Sequence, residues 1–195
     1  MKIDKHVRAD QKQQQPVCVW LTGLPASGKS TVASALDRLL YAAGRHAYLL
    51  DGDAIRQSLN RDLGFSESDR IENTRRIAEV ARLFVDSGLF VIVAFISPYQ
   101  AQRDFARSLF ETGEFLEVFV DASVEVCERR DPKGLYAKAR RGEIVGFTGT
   151  DGVYERPLAP EIHLNTENES VEQCAGRILR AIQALQAQHC RIRSG

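Results

Sequence analysis

The sequence predicts an α/β fold in which a mostly parallel sheet of about five strands carries helices on both faces. Short apolar runs alternate along the chain with segments of helical periodicity, which is typical of βαβ units. The first apolar run leads directly into a glycine-rich turn, and a helical pattern follows that turn. The 195 residues are enough for one such domain with a substantial core.

Apolar runs and helical periodicity place the elements in order. The predicted strands are Val17–Leu21, His46–Asp51, Phe90–Phe95, Phe115–Asp121 and Ile162–Asn165. The predicted helices are Lys29–Ala43, Glu67–Ser87, Tyr99–Thr112, Val124–Arg129 and Ser170–Gln188. Gly88 is a stop signal after the second helix, and Ser170 with Gln173 predicts a capping box at the start of the last one.

Two segments fall outside this alternation. Residues 1–15 are polar and rich in glutamine, and we expect them to be flexible, ahead of a single domain at 16–190. Residues 129–160 are rich in Gly, Lys, Arg and Pro and lack apolar periodicity. A loop of this length is usually functional or disordered, so we expect a mobile basic lid over an anionic site. The alternative is an ordinary solvated surface loop.

Composition excludes several classes of function. The 26 basic and 26 acidic residues balance, so nothing overall favours nucleic acid or an anionic membrane surface. No run of about 18 apolar residues predicts a membrane span, and the N-terminus lacks a signal-peptide core. Four cysteines lie far apart without a C-x-x-C pattern, which favours reduced thiols and a cytoplasmic location over a zinc site.

The glycine-rich turn reads GLPASGKS from Gly23 to Ser30 and fits the pattern G-x-x-x-x-G-K-S/T. Between a strand and a helix it predicts a P-loop NTPase-type phosphate site, in which backbone N–H groups hold polyphosphate. Lys29 would reach the β- and γ-phosphates and Ser30 would hold Mg²⁺. The alternative is a chance match. The residues expected to bind the phosphate donor are Gly23, Ala26, Ser27, Gly28, Lys29, Ser30 and Thr31.

Two acids follow the second strand, where a parallel sheet opens its ligand crevice. Asp51 and Asp53 alternate along the strand direction, so we expect them to point the same way. One would order Mg²⁺, and the other would accept a proton from an attacking hydroxyl. The alternative is that Asp53 is only the N-cap of a following helix.

A cationic and aromatic group predicts the acceptor. Arg70 and Asn73 share one helix face, Arg56 follows the acids, and Phe65 lies just before that helix. Arginine forms bidentate hydrogen bonds to phosphate oxygens, and phenylalanine stacks on a base. These residues together therefore suit a purine that carries a phosphate. Phe147 is a candidate for the other face of the base. Taken singly, Arg70 or Phe65 is more often a surface charge or a core residue, so the prediction depends on their grouping.

Several strings resemble the adenylylsulfate kinase (APS kinase) family over Val17–Leu185. They are DGD-x-x-R, LGFS-x-x-DR-x-EN, FISP and DPKGLY-x-KAR-x-G-x-I-x-x-FTG, which are far more specific together than a P-loop alone. The resemblance implies ATP-dependent phosphorylation of the 3′-hydroxyl of adenosine 5′-phosphosulfate. The products would be 3′-phosphoadenosine 5′-phosphosulfate and ADP.

The resemblance also assigns roles residue by residue. Asp53 is the implied base, with Lys29 and Lys133 as the catalytic cations and Ser30 and Asp51 at the metal. Phe65 and Phe147 would sandwich the substrate adenine, and Arg129 or Arg130 would lie against the ATP adenine. The other implied substrate contacts are Asp51, Arg56, Arg70, Asn73, Ile96, Ser97, Lys133 and Leu135. Ser97 is a phosphoryl acceptor candidate in this family, although an N-cap before Pro98 explains it more simply.

Two other classes of function stay open from the residues alone. One is a P-loop kinase for a sugar, a shikimate-like acid or a nucleoside monophosphate. The other is a regulatory subunit that binds a nucleotide without catalysis, against which the full set of Lys29, Ser30, Asp51 and Asp53 argues. We further expect a homodimer and consider an ATP sulfurylase as a partner, for which no residue pattern gives evidence.

Overall fold

A five-stranded parallel sheet forms the centre of the fold. The computed structural model describes the backbone of residues 3–193 and the side chains as far as residue 187. The strands are β1 (Cys18–Thr22), β2 (Ala47–Asp51), β3 (Phe90–Ala94), β4 (Phe115–Asp121) and β5 (Ile162–Asn165). Their order is β2-β3-β1-β4-β5 and every pair is parallel, which confirms the predicted fold class.

Helices cover both faces of the sheet. Within residues 3–193 they are α1 (Lys5–Gln11), α2 (Lys29–Ala42), α3 (Gly52–Gln57), α4 (Glu67–Asp86), α5 (Gln100–Ser108), α6 (Val124–Arg130), α7 (Leu135–Arg140) and α8 (Val171–Arg193). Because side chains alternate along a strand, Val19 and Leu21 of β1 pack under α2 and α8. Cys18 and Trp20 pack on the other face, under α4 and α5.

The predicted elements are present with small shifts at their ends. The predicted capping box is confirmed, since Ser170 N–H donates to Gln173 Oε1 at 2.8 Å and Gln173 N–H donates to Ser170 Oγ at 3.2 Å. The helix predicted to run to Thr112 ends at Ser108. Leu109 and Phe110 instead make shorter-range bonds to the carbonyls of Ala106 and Arg107. Helices α1, α3 and α7 are too short to show periodicity; α1 and α7 were not predicted, and α3 was considered only as the alternative helix after Asp53.

The N-terminal segment, which we expect to be flexible, contains helix α1 and hydrogen bonds to the rest of the fold. Asp4 caps α1 by accepting from His6 N–H and Val7 N–H. The Gln14 amide then donates to the carbonyls of His46 and Gly88 at 2.9 and 2.7 Å. These hydrogen bonds attach a polar segment to the edge of the sheet. They involve backbone carbonyls, so the hydropathy pattern of the sequence gives no sign of them.

Cys18, Cys127 and Cys174 are buried free thiols, as the spacing predicted. The side chain of Cys190 lies outside the described residues. Within residues 3–193 no helix has the length and apolar character needed to cross a membrane.

Candidate active site

A cavity of about 800 Å³ lies where the strands end, bounded by the P-loop, α3, α4 and the lid at 129–160. This is the usual position for a ligand in an open parallel sheet. The structure brings most of the predicted site residues to its wall. They are Ala26, Gly28, Lys29, Ser30, Thr31, Asp51, Asp53, Arg56, Phe65, Arg70, Asn73, Ile96, Ser97, Arg130, Lys133, Leu135 and Phe147.

Three predicted residues do not line the cavity. Gly23 and Ser27 lie in the buried part of the P-loop, and Arg129 is exposed outside the cavity wall. Gly23 has φ +154°, and a Cβ there would lie 2.3 Å from the carbonyl oxygen of Val120. Gly23 therefore serves the close approach of the loop to β4. Of the two arginines considered for the ATP adenine, the structure places Arg130 at the cavity.

The P-loop ends in a left-handed Gly28, with φ +102°, which starts α2 without a side-chain cap. The first N–H groups of such a helix have no acceptor in the helix itself, which suits an anion. Lys29 is 8% exposed, and its ammonium donates to the carbonyls of Gly23 at 2.9 Å and Leu24 at 2.7 Å. Burial lowers the pKa of Lys29 to about 8. A polyphosphate would give this ammonium a charged partner.

The two acids Asp51 and Asp53 lie at the N-terminus of α3, one as its N-cap and the other in its first turn. Asp51 is the N-cap of α3 and its Oδ1 accepts from Asp53 N–H at 3.0 Å. The idea that Asp53 is the N-cap is wrong, and so is the argument from strand alternation, because α3 begins at Gly52. Both carboxylates nevertheless line the cavity. The turn into the helix brings Asp53 under the lid, where it forms an ion pair with Lys133.

The acceptor side holds an exposed ring flanked by arginines. Phe65 is 67% exposed, and the Arg56 guanidinium lies 4.5 Å from its ring centroid. Arg70 donates to the carbonyls of Phe65 at 3.0 Å and Gly146 at 3.1 Å, so it joins α4 to the lid. Asn73 is buried, and its Oδ1 accepts from Asn60 Nδ2 at 3.0 Å. The two arginines therefore meet at one aromatic surface of the cavity.

The second ring comes from the lid. Phe147 is buried, and it packs edge-on against Tyr136 with ring centroids 5.0 Å apart. Tyr136 donates its hydroxyl to the Pro25 carbonyl at 3.2 Å, which fastens the lid to the P-loop. Asp151 accepts from the N–H groups of Gly146 and Phe147 and fixes the turn that carries the ring. Phe65 and Phe147 thus enter the cavity from different elements.

The loop after β3 has an unusual backbone. Ser97 has φ +42°, and its buried Oγ accepts from Trp20 Nε1 at 2.9 Å. Helix α5 has Tyr99 as its N-cap, without a side-chain cap bond, so the simpler role proposed for Ser97 is wrong. The hydroxyl of Ser97 instead holds a left-handed residue in place beside the acceptor side of the cavity.

Sequence reasoning missed the wall beyond the P-loop. Thr166, Glu169, Val171 and Cys174 line this end of the cavity. Arg130 donates to the Thr166 carbonyl at 2.6 Å, and Thr166 Oγ1 donates to the Ser27 carbonyl at 2.9 Å. Thr166 could have been found, because it directly follows β5 at the carboxyl edge of the sheet. Val171 and Cys174 also belong to the apolar face of α8 that packs in the core, so their position on the cavity wall gives no separate sequence signal.

The oxygen donors suit a magnesium ion held jointly with phosphates. Ser30 and Asp51 line the same cavity. The described residues contain no cluster of three or more His, Cys, Asp or Glu that could hold a metal on their own. Magnesium typically takes one or two protein oxygens and completes its shell with water and substrate phosphates. The residues present therefore fit this ion with a bound polyphosphate.

Comparison with known proteins gives one consistent family. The family profile described as "Adenylylsulphate kinase" matches residues 15–165. The adenylyl-sulfate kinase of Aeromonas hydrophila is 54% identical over 180 residues, which covers 92% of this chain and 91% of that protein. The bifunctional enzyme NodQ of a Rhizobium species is 59% identical over 173 residues, or 89% of this chain. The chain spans only 27% of that longer protein.

Solved structures agree. The Mycobacterium tuberculosis APS kinase CysC, in complex with AMPPNP and APS, superposes with a TM-score of 0.83 at 47% identity. The match covers 87% of this chain and 98% of that one. A gluconokinase from Sinorhizobium meliloti superposes with a TM-score of 0.61 at 19% identity over 93% of this chain and 98% of its own length, a likeness of fold alone.

Proposed function

The chain belongs to the adenylylsulphate kinase family, and we propose that it transfers the γ-phosphoryl group of ATP to the 3′-hydroxyl of adenosine 5′-phosphosulfate. The products are 3′-phosphoadenosine 5′-phosphosulfate and ADP, so the reaction belongs to sulfate activation. One observation carries the proposal. A single cavity joins a phosphate-binding loop to an acceptor side that offers two aromatic rings and two arginines.

The donor half binds ATP. The N–H groups at the start of α2 and the Lys29 ammonium face the β- and γ-phosphates. Arg130 and Thr166 stand at the far end of the loop, where the ATP adenine lies beside the guanidinium. Ser30 and Asp51, together with the phosphates, would hold Mg²⁺, which would supply positive charge where the transferring group gains negative charge.

The acceptor half binds adenosine phosphosulfate. Its adenine lies between Phe65 and Phe147, which line the cavity from α4's N-terminal loop and from the lid. The phosphosulfate end binds to Arg56, Arg70 and Asn73, because guanidinium groups form bidentate hydrogen bonds to such oxygens. The backbone at Ile96–Ser97 and the side chain of Leu135 complete the pocket.

Asp53 removes the proton of the 3′-hydroxyl as that oxygen attacks. The ion pair with Lys133 places this carboxylate at the lid, and both side chains are more than half exposed to the cavity or solvent. When phosphates are bound, Lys133 and Lys29 stabilise charge on the transferring oxygens. Positioning and electrostatic stabilisation provide most of the rate enhancement in such transfers.

We propose further that the protein works in the cytoplasm, which the buried free thiols of Cys18, Cys127 and Cys174 support. A homodimer and an ATP sulfurylase partner stay predictions. A second catalytic unit as partner has indirect support, because the NodQ relatives are named bifunctional enzymes and the chain matches about a quarter of their length.

An acceptor panel tests the proposal. The chain with ATP and Mg²⁺ is assayed for ADP release with adenosine phosphosulfate, AMP, gluconate or shikimate as acceptor. We expect adenosine phosphosulfate to have the highest kcat/KM by about two orders of magnitude, because AMP lacks the sulfate and the others lack the purine. Preference for gluconate or shikimate would assign the chain to another class of small-molecule kinase. Tight ATP binding with no turnover on any acceptor would indicate a nucleotide-sensing subunit.

A further inference from the structure

Arg103 of α5 occupies a buried junction beneath the acceptor side of the cavity. It is 1% exposed, and it does not line the cavity itself. Its Nη1 donates to the Ser97 carbonyl at 2.7 Å, and its Nη2 donates to the Glu155 carbonyl at 2.8 Å. Its Nε lies 2.8 Å from Oε1 of Glu117, which is itself buried in β4. One guanidinium therefore joins three separate segments.

Two of those segments form part of the candidate site. Ser97 lies in the left-handed turn of the acceptor loop, and Glu155 lies where the lid returns to the sheet.

Other hydrogen bonds connect the same two segments. Glu155 N–H donates to the Pro98 carbonyl at 2.8 Å, and Tyr154 Oη lies 3.0 Å from Thr22 Oγ1. Thr22 Oγ1 in turn donates to the Ile96 carbonyl at 2.6 Å. The acceptor loop and the end of the lid are thus one hydrogen-bonded unit.

Only a guanidinium fits this position. Its planar fork directs donors to the Ser97 and Glu155 carbonyls at once, while its charge lies against the Glu117 carboxylate. A lysine ammonium is a single point of charge and would keep one or two of these partners. Glu117 balances the buried charge, and loss of that balance would leave one ion unpaired.

We infer that Arg103 is a positioning residue for the acceptor: it couples the Ile96–Ser97 loop to the end of the lid, so that the two sides of the acceptor pocket form together. It acts through the carbonyls it holds and does not touch the substrate. The inference rests on the proposed function for the identity of the acceptor. The coupling itself is a property of the protein alone.

Arg103→Lys tests the inference, and Arg107→Lys is the matched control. Arg107 lies one turn along α5 and pairs with the same Glu117 at 3.5 Å and with Glu161 at 2.7 Å. Among the described residues it contacts neither the Ser97 nor the Glu155 carbonyl. We expect Arg103→Lys to raise the KM for adenosine phosphosulfate about tenfold or more, with the KM for ATP within about twofold. Arg107→Lys should leave both values within about twofold of wild type.

The only tryptophan of the chain provides a second readout that needs no substrate. Trp20 is fully buried, and its Nε1 donates to Ser97 Oγ at 2.9 Å. If Arg103 holds the acceptor loop, Arg103→Lys changes the emission maximum or yield of Trp20, and Arg107→Lys does not. Because this signal is independent of turnover, it distinguishes failure of the coupling from failure of the proposed activity.

Tyr154→Phe decides the question if Arg103→Lys does not fold by circular dichroism. It removes the hydroxyl beside Thr22 Oγ1 without placing an unpaired charge in the core. A raised KM for adenosine phosphosulfate with an unchanged KM for ATP supports the coupling. An unchanged KM for adenosine phosphosulfate in whichever of the two variants folds overturns the inference. An equal rise in both KM values, with no change in Trp20 emission, also overturns it in favour of a general structural role.

Discussion

The Lys133 ammonium forms an ion pair with the Asp53 carboxylate. Asp53 lies in the first turn of α3, shortly after β2, whereas Lys133 lies in the turn between α6 and α7 of the lid. The lid therefore meets the sheet edge at the residue proposed as the base. Both groups have a partner before any substrate is bound, and the arrival of phosphates would give Lys133 a stronger one.

Asp53→Asn should lower kcat at least about a hundredfold, because a positioned general base contributes two to four orders of magnitude. Stability should hardly change, since the Asp53 side chain is 61% exposed. Steady-state kinetics and a thermal melt check the two parts. Asp62→Asn is the matched control, because Asp62 is another exposed acid paired with a basic residue, Arg76, but lies outside the cavity wall. A kcat near wild type for Asp53→Asn would remove this residue from the chemistry.

Lys133→Met should lower kcat by about tenfold or more, because a cation near the transferring group is lost. The free energy of unfolding should change by less than about 1 kcal/mol, as for other exposed ion pairs. The double variant with Asp53→Asn should lose much less than the product of the two single losses if both residues serve one transfer step. Fully multiplicative losses would show that the two residues act independently.

Lys29 predicts a pH-dependent stability. Burial lowers its pKa from 10.5 to about 8, so the unfolded chain binds more protons between these pH values. The Lys29 contribution therefore destabilises the fold below pH 8, by about 3 kcal/mol, and this cost disappears as the pH rises toward 10.5.

Urea unfolding of the wild type and of Lys29→Met measures this contribution by difference. The variant should be more stable near neutral pH, and its advantage should shrink by about pH 9.5. Other titrating groups cancel in the comparison. A stability difference that does not vary with pH would contradict the buried charge. A loss of ATP binding in the same variant would be consistent with Lys29 at the phosphates.

The two aromatic rings should respond differently to removal. Phe65→Ala should raise the KM for adenosine phosphosulfate about tenfold through lost stacking, with a stability change within about 0.5 kcal/mol because the ring is exposed. Phe147→Ala should impair binding and also destabilise the lid by about 3 kcal/mol, because that ring is buried against Tyr136. Phe105→Ala, at a partly exposed ring outside the cavity, should change neither property. Equal behaviour of Phe65→Ala and Phe105→Ala would argue against the sandwich.

The sequence predicted the fold well, because the sheet is built from continuous apolar runs. The bounds of β4 and β5 are those predicted, and alternation with helices determined that the strands are parallel. The misses have local causes. Helix α1 depends on the Asp4 cap and the Gln14 amide, and α3 depends on the Asp51 cap. Such short helices are stabilised by particular hydrogen bonds and leave no periodic signal.

The cavity residues that belong to specific sequence motifs were predicted. Those that only the tertiary structure brings to the cavity were missed. Thr166 lies 139 positions from the P-loop residue whose carbonyl it contacts, Ser27. An arginine in a surface helix is expected to point into solvent. Arg103 of α5 is instead buried beside Glu117. Side chains that act from beneath a site depend on tertiary packing, and no spacing along the chain reveals them.

The most direct test of the central claim is the structure of the product. The chain is incubated with Mg²⁺, adenosine phosphosulfate and ATP labelled in the γ-phosphoryl group, and the nucleotides are analysed by ³¹P NMR and mass spectrometry. We predict one ADP for each adenosine phosphosulfate consumed, with the label on the 3′-oxygen and the sulfate still in place. No labelled 3′-phosphorylated product above the buffer control, or label on another acceptor while adenosine phosphosulfate stays unchanged, would contradict this activity.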